Sequence, residues 1–315
     1  MTCQATEVVS YCSMVPGAGK SWKPLAWNGV CLRVPPNWEV SSLAPRHLQV
    51  DDGEGPVLEL KWRRLEGRFS HEVHLKRLAR FSGPVARLTF EEKPLAEEWR
   101  QALHGFDVRG FAWQTSDIGG EGAIIFCPRC HTATLIQFYQ RPGRDHMPLA
   151  VEILRSFRDH SENGLISWTL FGISAQIPER FQLVGRHFYP GHYELRFADR
   201  REELRLSRWS PADVLLREDD LRSWFTKVFK RVQPENLSSV RPLEFRGNPA
   251  LEWRSRPAVG PAKRLWARVT GRKSHLWIRI WHLTNQNQII GVEASSLQPI
   301  DEAFFQEICD NYEVV

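Results

Sequence analysis

The sequence predicts an α+β protein made of two tandem, similar domains, each an antiparallel sheet with helices packed on its faces. Three observations predict it. Strand-like segments alternate apolar and polar residues with period two, polar turn clusters separate them from helical segments, and the same series of segments occurs twice. A chain of 315 residues is also too long for one ordinary core and fits two of roughly 150 residues.

Each element has its own warrant. "GVCLRVPPNWEV" (29–40) matches "GISAQIPERFQL" (172–183) without a gap, pairing Gly29 with Gly172, Pro35 with Pro178 and Trp38 with Phe181. In both, alternation runs into a proline that ends a strand, and an aromatic residue leads the next one. "PVLELKWRR" (56–64) parallels "EELRLSRWS" (202–210), a strand ending near Trp62 or Trp209. A helical segment follows in each half. "SHEVHLKRLARFS" starts at Ser70 as a cap, and "REDDLRSWFTKVFKRV" puts Leu221, Trp224, Phe225 and Val228 on one stripe behind acidic residues.

"HGFDVRGFAWQ" (104–114) then parallels "FRGNPALEWRS" (245–255), so that Trp113 matches Trp253. "AIIFCPRCHTATLIQFYQ" is set against "LWARVTGRKSHLWIRIWHL", each a strand, tight turn and strand. Both halves close on a helix with an aromatic end, "LAVEILRSFRDH" at Phe157 and "DEAFFQEICDNYEVV" at Tyr312. The expected order in each domain is β-β-β-α-β-β-β-α. A polar cluster, "RDHSENGLIS", marks the boundary. The expected organisation is an N-terminal arm over 1–20, a first repeat over 21–160 and a second over 161–315.

In this order, the Gly-to-aromatic opening (Gly29 to Trp38, Gly172 to Phe181) and the closing helix (Glu152 to Phe157, Glu307 to Tyr312) resemble the Mog/PsbP-like family, taken as two copies over nearly the whole chain. The resemblance implies a small non-catalytic fold that binds or supports other proteins, such as a photosystem assembly factor or a Ran-binding protein. It carries over no partner-binding residue.

Composition sets wider bounds. Hydrophobic residues make up 42% and charged residues 25%, as in globular proteins. The net charge of +5 permits an acidic partner without requiring nucleic acid. No basic start precedes an apolar run and no stretch is long enough for a membrane helix, so the expected location is cytoplasmic, with reduced thiols.

Cys127-Pro128-Arg129-Cys130-His131 is the motif with the most chemistry. CxxCH is the attachment pattern of covalent haem, but that chemistry belongs outside the cytoplasm. A CPxC turn between strands is the shape of a zinc knuckle, and a structural zinc site wants four ligands. Cys3 and Cys12 in the N-terminal arm supply the other two in the expected set Cys3, Cys12, Cys127 and Cys130, with His131 or a second subunit as substitutes. A thioredoxin-type pair would start a helix instead. The simplest reading is a turn with two small, partly buried thiols and no cofactor. Cys31 and Cys309 read as ordinary packing positions.

Other motifs fall short. "GAGKS" (17–21) lacks the first glycine of a phosphate loop, where Met14 stands. "HEVH" (71–74) is one residue short of the metalloprotease spacing, and His187, Tyr189, His192 and Tyr193 surround a Pro-Gly turn. No nucleophile, base and orienting acid group together, so no enzymatic activity is expected. Trp253, Arg254, Trp266, Arg268, Trp277 and Arg279 combine the residue types that anchor protein interfaces. They read equally as strands with tryptophan inward and arginine stems outward. The expected function is a non-enzymatic protein-binding or assembly subunit of a larger complex, the alternative a zinc-binding or redox protein using the Cys127/Cys130 hairpin.

Overall fold

In this computed structural model the described residues are 22–80, 89–143, 147–161, 163–230, 239–255 and 274–315. They form two compact units, residues 1–171 and 172–315.

The first unit runs β1 (Lys23–Trp27), β2 (Val30–Val34), β3 (Glu39–Ala44), β4 (His47–Asp51), β5 (Pro56–Arg64), α1 (His71–Arg80), β6 (Thr89–Lys93), α2 (Glu97–Ala102), β7 (Asp107–Gln114), β8 (Gly119–Phe126), β9 (Thr132–Gln140), α3 (Met147–Ser156) and β10 (Leu165–Leu170). Its main sheet is antiparallel with order β3-β4-β5-β9-β8-β7-β6. Alternation sorts the two faces as period two requires. Leu75 of α1 packs with Phe111 and Ile124 on one face. On the other, Trp99 of α2 meets Phe138 edge-on at 5.4 Å. β1 pairs with β2 and with β10, the latter through Ala26 and Thr169. The unit therefore extends past the expected boundary at 160, through Phe171.

The second unit runs β11 (Ile173–Pro178), β12 (Gln182–Tyr189), β13 (His192–Ala198), β14 (Glu202–Trp209), α4 (Ala212–Leu215), α5 (Leu221–Val228), β15 (Arg241–Phe245), β16 (Asn248–Arg254), β17 (His275–Leu283), β18 (Gln288–Ser296), α6 (Glu302–Asp310) and β19 (Tyr312–Val314). Its main sheet has order β12-β13-β14-β18-β17-β16-β15. Counted from the first strand, this is the order of the first unit. Trp224 and Phe225 of α5 pack on Trp209, Trp253, Ile278, Ile280 and Ile289. On the opposite face, Phe305 of α6 stacks on Trp277 at 4.1 Å.

Several expectations change. β1, β4 and β6 are strands that the pattern did not single out; β6 is polar and mostly exposed. The last segment of the chain leaves helix at Asp310 and becomes β19, which pairs with β11. Val228, expected on the buried stripe of α5, is 39% exposed.

The counterpart of the β8–β9 hairpin is β17–β18, not the segment ending in "TGRKSH", because β9 and β18 hold the same central place in the sheet order. The counterpart turns agree in detail. His131 (φ +58°) and Asn287 (φ +54°) both take the left-handed conformation just before the second strand. Leu65 N–H donates to His131 O at 2.9 Å, and Ala212 N–H to Asn287 O at 2.8 Å. His131 thus belongs to the turn and not to β9. Most of "TGRKSH" lies outside the described residues.

Candidate metal centre

The site is assembled from two short segments of the first unit. The first is the β8–β9 turn. Cys127 N–H bonds Thr132 O at 2.9 Å and His131 N–H bonds Cys127 O at 3.0 Å, so both cysteines stand on a closed turn. The second segment follows α3. Arg158 is locked to Cys31 of β2 by two backbone hydrogen bonds of 2.8 Å each, and Ser156 Oγ accepts from Arg33 N–H at 2.8 Å. Phe157 is fully buried. These anchors deliver the next two residues, Asp159 and His160, to the cysteines.

Cys127, Cys130, Asp159 and His160 each offer one donor atom, and the four atoms lie within 4.8 Å of one another. Cys127 Sγ is 3.6 Å from His160 Nδ1, and Cys130 Sγ is 3.4 Å from Asp159 Oδ2. Four ligands at ordinary zinc distances stand about 3.4–3.8 Å apart on a tetrahedron. These two contacts already have that spacing. His160 Nδ1 is also hydrogen-bonded to Asp159 Oδ1 at 2.7 Å, a bond that gives way when this nitrogen takes a metal ion. Cys127 and Asp159 are buried, while Cys130 and His160 are partly open to solvent. Burial, helped by the Asp159 carboxylate and opposed by hydrogen bonds from Thr132, pushes the Cys130 thiol up to about 12. The Cys130 thiol must therefore give up its proton on binding a cation.

The same residue types also suggest a cysteine nucleophile with a histidine base and an orienting acid. The geometry differs from that arrangement, which uses both ring nitrogens, one toward each neighbour. Here a single nitrogen, His160 Nδ1, faces both Cys127 and Asp159. Convergence on one point is what ligands of one ion do.

The second unit is an internal control. With His131 matched to Asn287, Cys127 falls on Leu283 and Cys130 on Gln286. The Cys31–Arg158 bridge corresponds to the Ser174–Glu313 pair of β11 and β19, so Asp159 falls on Val314 and His160 on Val315. All four donors are present together in one unit and replaced together in the other.

Of the expected ligands, Cys127 and Cys130 are brought together, whereas Cys3 and Cys12 lie outside the described residues, as does "GAGKS". Asp159 and His160 were missed because "RDHSENG" reads as a polar linker. The signal was present in the closing segments, where Asp-His stands against Val-Val. His71 and His74 do not converge: His71 Nε2 is 3.1 Å from Asp107, and His74 Nδ1 is 3.0 Å from Ser70 O.

The expected interface residues lie mostly inside. Trp253 is 5% exposed, Trp277 3% and Arg279 6%. Arg279 bonds Glu252 at 2.6 Å, and Arg254 lies over the Trp277 ring at 3.3 Å. Trp266 and Arg268 lie outside the described residues. No helix among the described residues is long and apolar enough to cross a membrane.

No known protein family matches the sequence, and no curated protein matches it. Among solved structures, a point mutant of protein Mog1 and the Saccharomyces cerevisiae Ran-binding protein Mog1p are similar to this chain at 11% identity, each with a TM-score of 0.29. They cover 48% of this chain and 96% and 95% of their own, so one such chain spans about half of this one.

Proposed function

We propose that this protein is a non-enzymatic binding protein whose first unit holds one zinc ion through Cys127, Cys130, Asp159 and His160. What carries the reading is the convergence of four donor atoms within 4.8 Å of one another, at positions where the second unit has none. Two thiolates, an imidazole and a carboxylate favour zinc over magnesium or calcium, which take oxygen ligands. The ion would fasten the end of the main sheet, at the β8–β9 turn, to the chain leaving α3 and through it to β2. That is a structural role, with all four positions filled by protein.

Partner binding is the remaining part of the proposal. Of the four described Trp/Arg candidates only Arg254 reaches the surface, so the metal centre is the feature to test first. The test is metal analysis of the purified full chain together with cobalt substitution. The expected result is one zinc per chain, and for cobalt a sulfur-to-metal charge-transfer band of two-thiolate intensity. A chain that takes up neither metal sinks the reading.

A further inference from the structure

The proposal here rests on the zinc reading and concerns the chemistry of the same two sulfurs. We propose that Cys127 and Cys130 form an oxidation site, at which a hydroperoxide converts the thiolate pair into an intrachain disulfide and the zinc ion is released.

The geometry allows this without backbone travel. The two cysteines stand at the first and fourth positions of a tight turn, closed by the 3.0 Å bond from His131 N–H to Cys127 O. In one such helical turn, residues three apart have Cα atoms roughly 5–6 Å apart, within the span a disulfide bridges. The sulfurs are already within 4.8 Å, so side-chain rotation brings them to bonding distance. The other described thiols differ: Cys31 and Cys309 are buried, and neither belongs to the cluster.

Exposure sets the order of events. Cys127 is 2% exposed, whereas Cys130 is partly open to solvent. The Cys130 sulfur attacks the distal peroxide oxygen, breaking the O–O bond; the alkoxide takes a proton and leaves as alcohol. Cys127 sulfur then attacks the Cys130 sulfenic acid, forming the S–S bond and expelling hydroxide, which leaves as water after protonation. In sum two thiolates, one hydroperoxide and two protons give one disulfide, one alcohol and one water. Two electrons pass from sulfur to oxygen. Zinc loses two of its four ligands, and Asp159 with His160 alone do not complete a structural site.

The fold does not require the disulfide, since the matching turn of the second unit closes with Leu283 and Gln286. The bond would be a response to oxidant rather than a scaffold element.

The experiment treats the zinc-loaded full chain with tert-butyl hydroperoxide and follows zinc with a chromogenic chelator. In parallel, trypsin cuts after Arg129, between the two cysteines. Before treatment the two flanking peptides separate; afterwards the disulfide holds them together until dithiothreitol is added. The expected result is release of the whole zinc content in step with linkage of these peptides, and reloading after reduction. A Cys3→Ser/Cys12→Ser chain gives the same result. Zinc retained under excess hydroperoxide overturns the inference and leaves the metal centre standing. So does release accompanied by sulfinic acid at either cysteine in place of the linked peptides. A chain that binds no zinc at the outset overturns both.

Discussion

At the scale of single residues, two pairs of side chains, Asp159 with His160 and Glu252 with Arg279, stand in two different environments. Asp159 and His160 are placed by a locked backbone, and their counterparts Val314 and Val315 show that the fold does not need them there. Asp159→Ala and His160→Ala are therefore each expected to lower zinc affinity by at least about tenfold, read by competition with a zinc chelator. Cys3→Ser/Cys12→Ser is expected to leave it unchanged; a loss would restore the arm cysteines as ligands. In the second unit, burial alone would raise the Glu252 carboxyl. The Arg279 guanidinium, together with Trp277 and Arg254, reverses this and holds it below its usual range. Arg279→Met leaves a buried carboxylate short of its main partner and is expected to cost about 3 kcal/mol in urea unfolding at neutral pH. A depressed folded-state value stabilises above the unfolded-state value and is lost as pH falls through the folded one. The deficit of the variant is therefore largest near neutrality and shrinks below roughly pH 4.

At the scale of elements, the same local devices recur in both units. The first hairpin of each main sheet carries an irregularity, between Val40 and Ser42 in one and between Leu183 and Gly185 in the other. Each lies on the edge strand, where a bulge discourages pairing with another chain. α5 begins at Asp220, whose carboxylate accepts from Ser223 N–H at 2.7 Å. Asp220→Ala is expected to lower the midpoint of a denaturant titration, because the Ser223 N–H loses its capping acceptor. The turn of the candidate centre is an element in the same sense. Replacing its cysteines by the residues of the second unit, Cys127→Leu with Cys130→Gln, is expected to keep the far-ultraviolet circular dichroism and abolish zinc uptake. A collapse of secondary structure would instead make the cysteines part of the fold.

At the scale of the whole molecule, the proposed zinc site lies, among the described residues, in the first of the two units. At a free zinc concentration one hundred times Kd, binding adds about 2.7 kcal/mol to the unit that holds it. For a unit of this size that corresponds to roughly 5–11 °C in Tm. Calorimetry of the full chain is expected to show a chelator-sensitive contribution of that size from the first unit. The contribution of the second should be indifferent to chelator.

The sequence alone determined the α+β class, the antiparallel strands and the recurrence of segments. These follow from period-two alternation and turn residues, which act over a few positions and are visible in one stretch of chain. Gly29 to Trp38 against Gly172 to Phe181 needed no folding to be seen. It also singled out Cys127 and Cys130, because their spacing is local. Tertiary structure decided the rest. Pairing of β9 and β18 at the centre of their sheets moved the counterpart of the cysteine turn to Thr284–Asn287. Trp253, Trp277 and Arg279 became interior because helices cover both faces of their sheet. Asp159 and His160 became ligand candidates only through the Cys31–Arg158 bridge. The bridge joins residues more than a hundred positions apart and the central strand pairings join distant segments, and no periodicity along the chain encodes either.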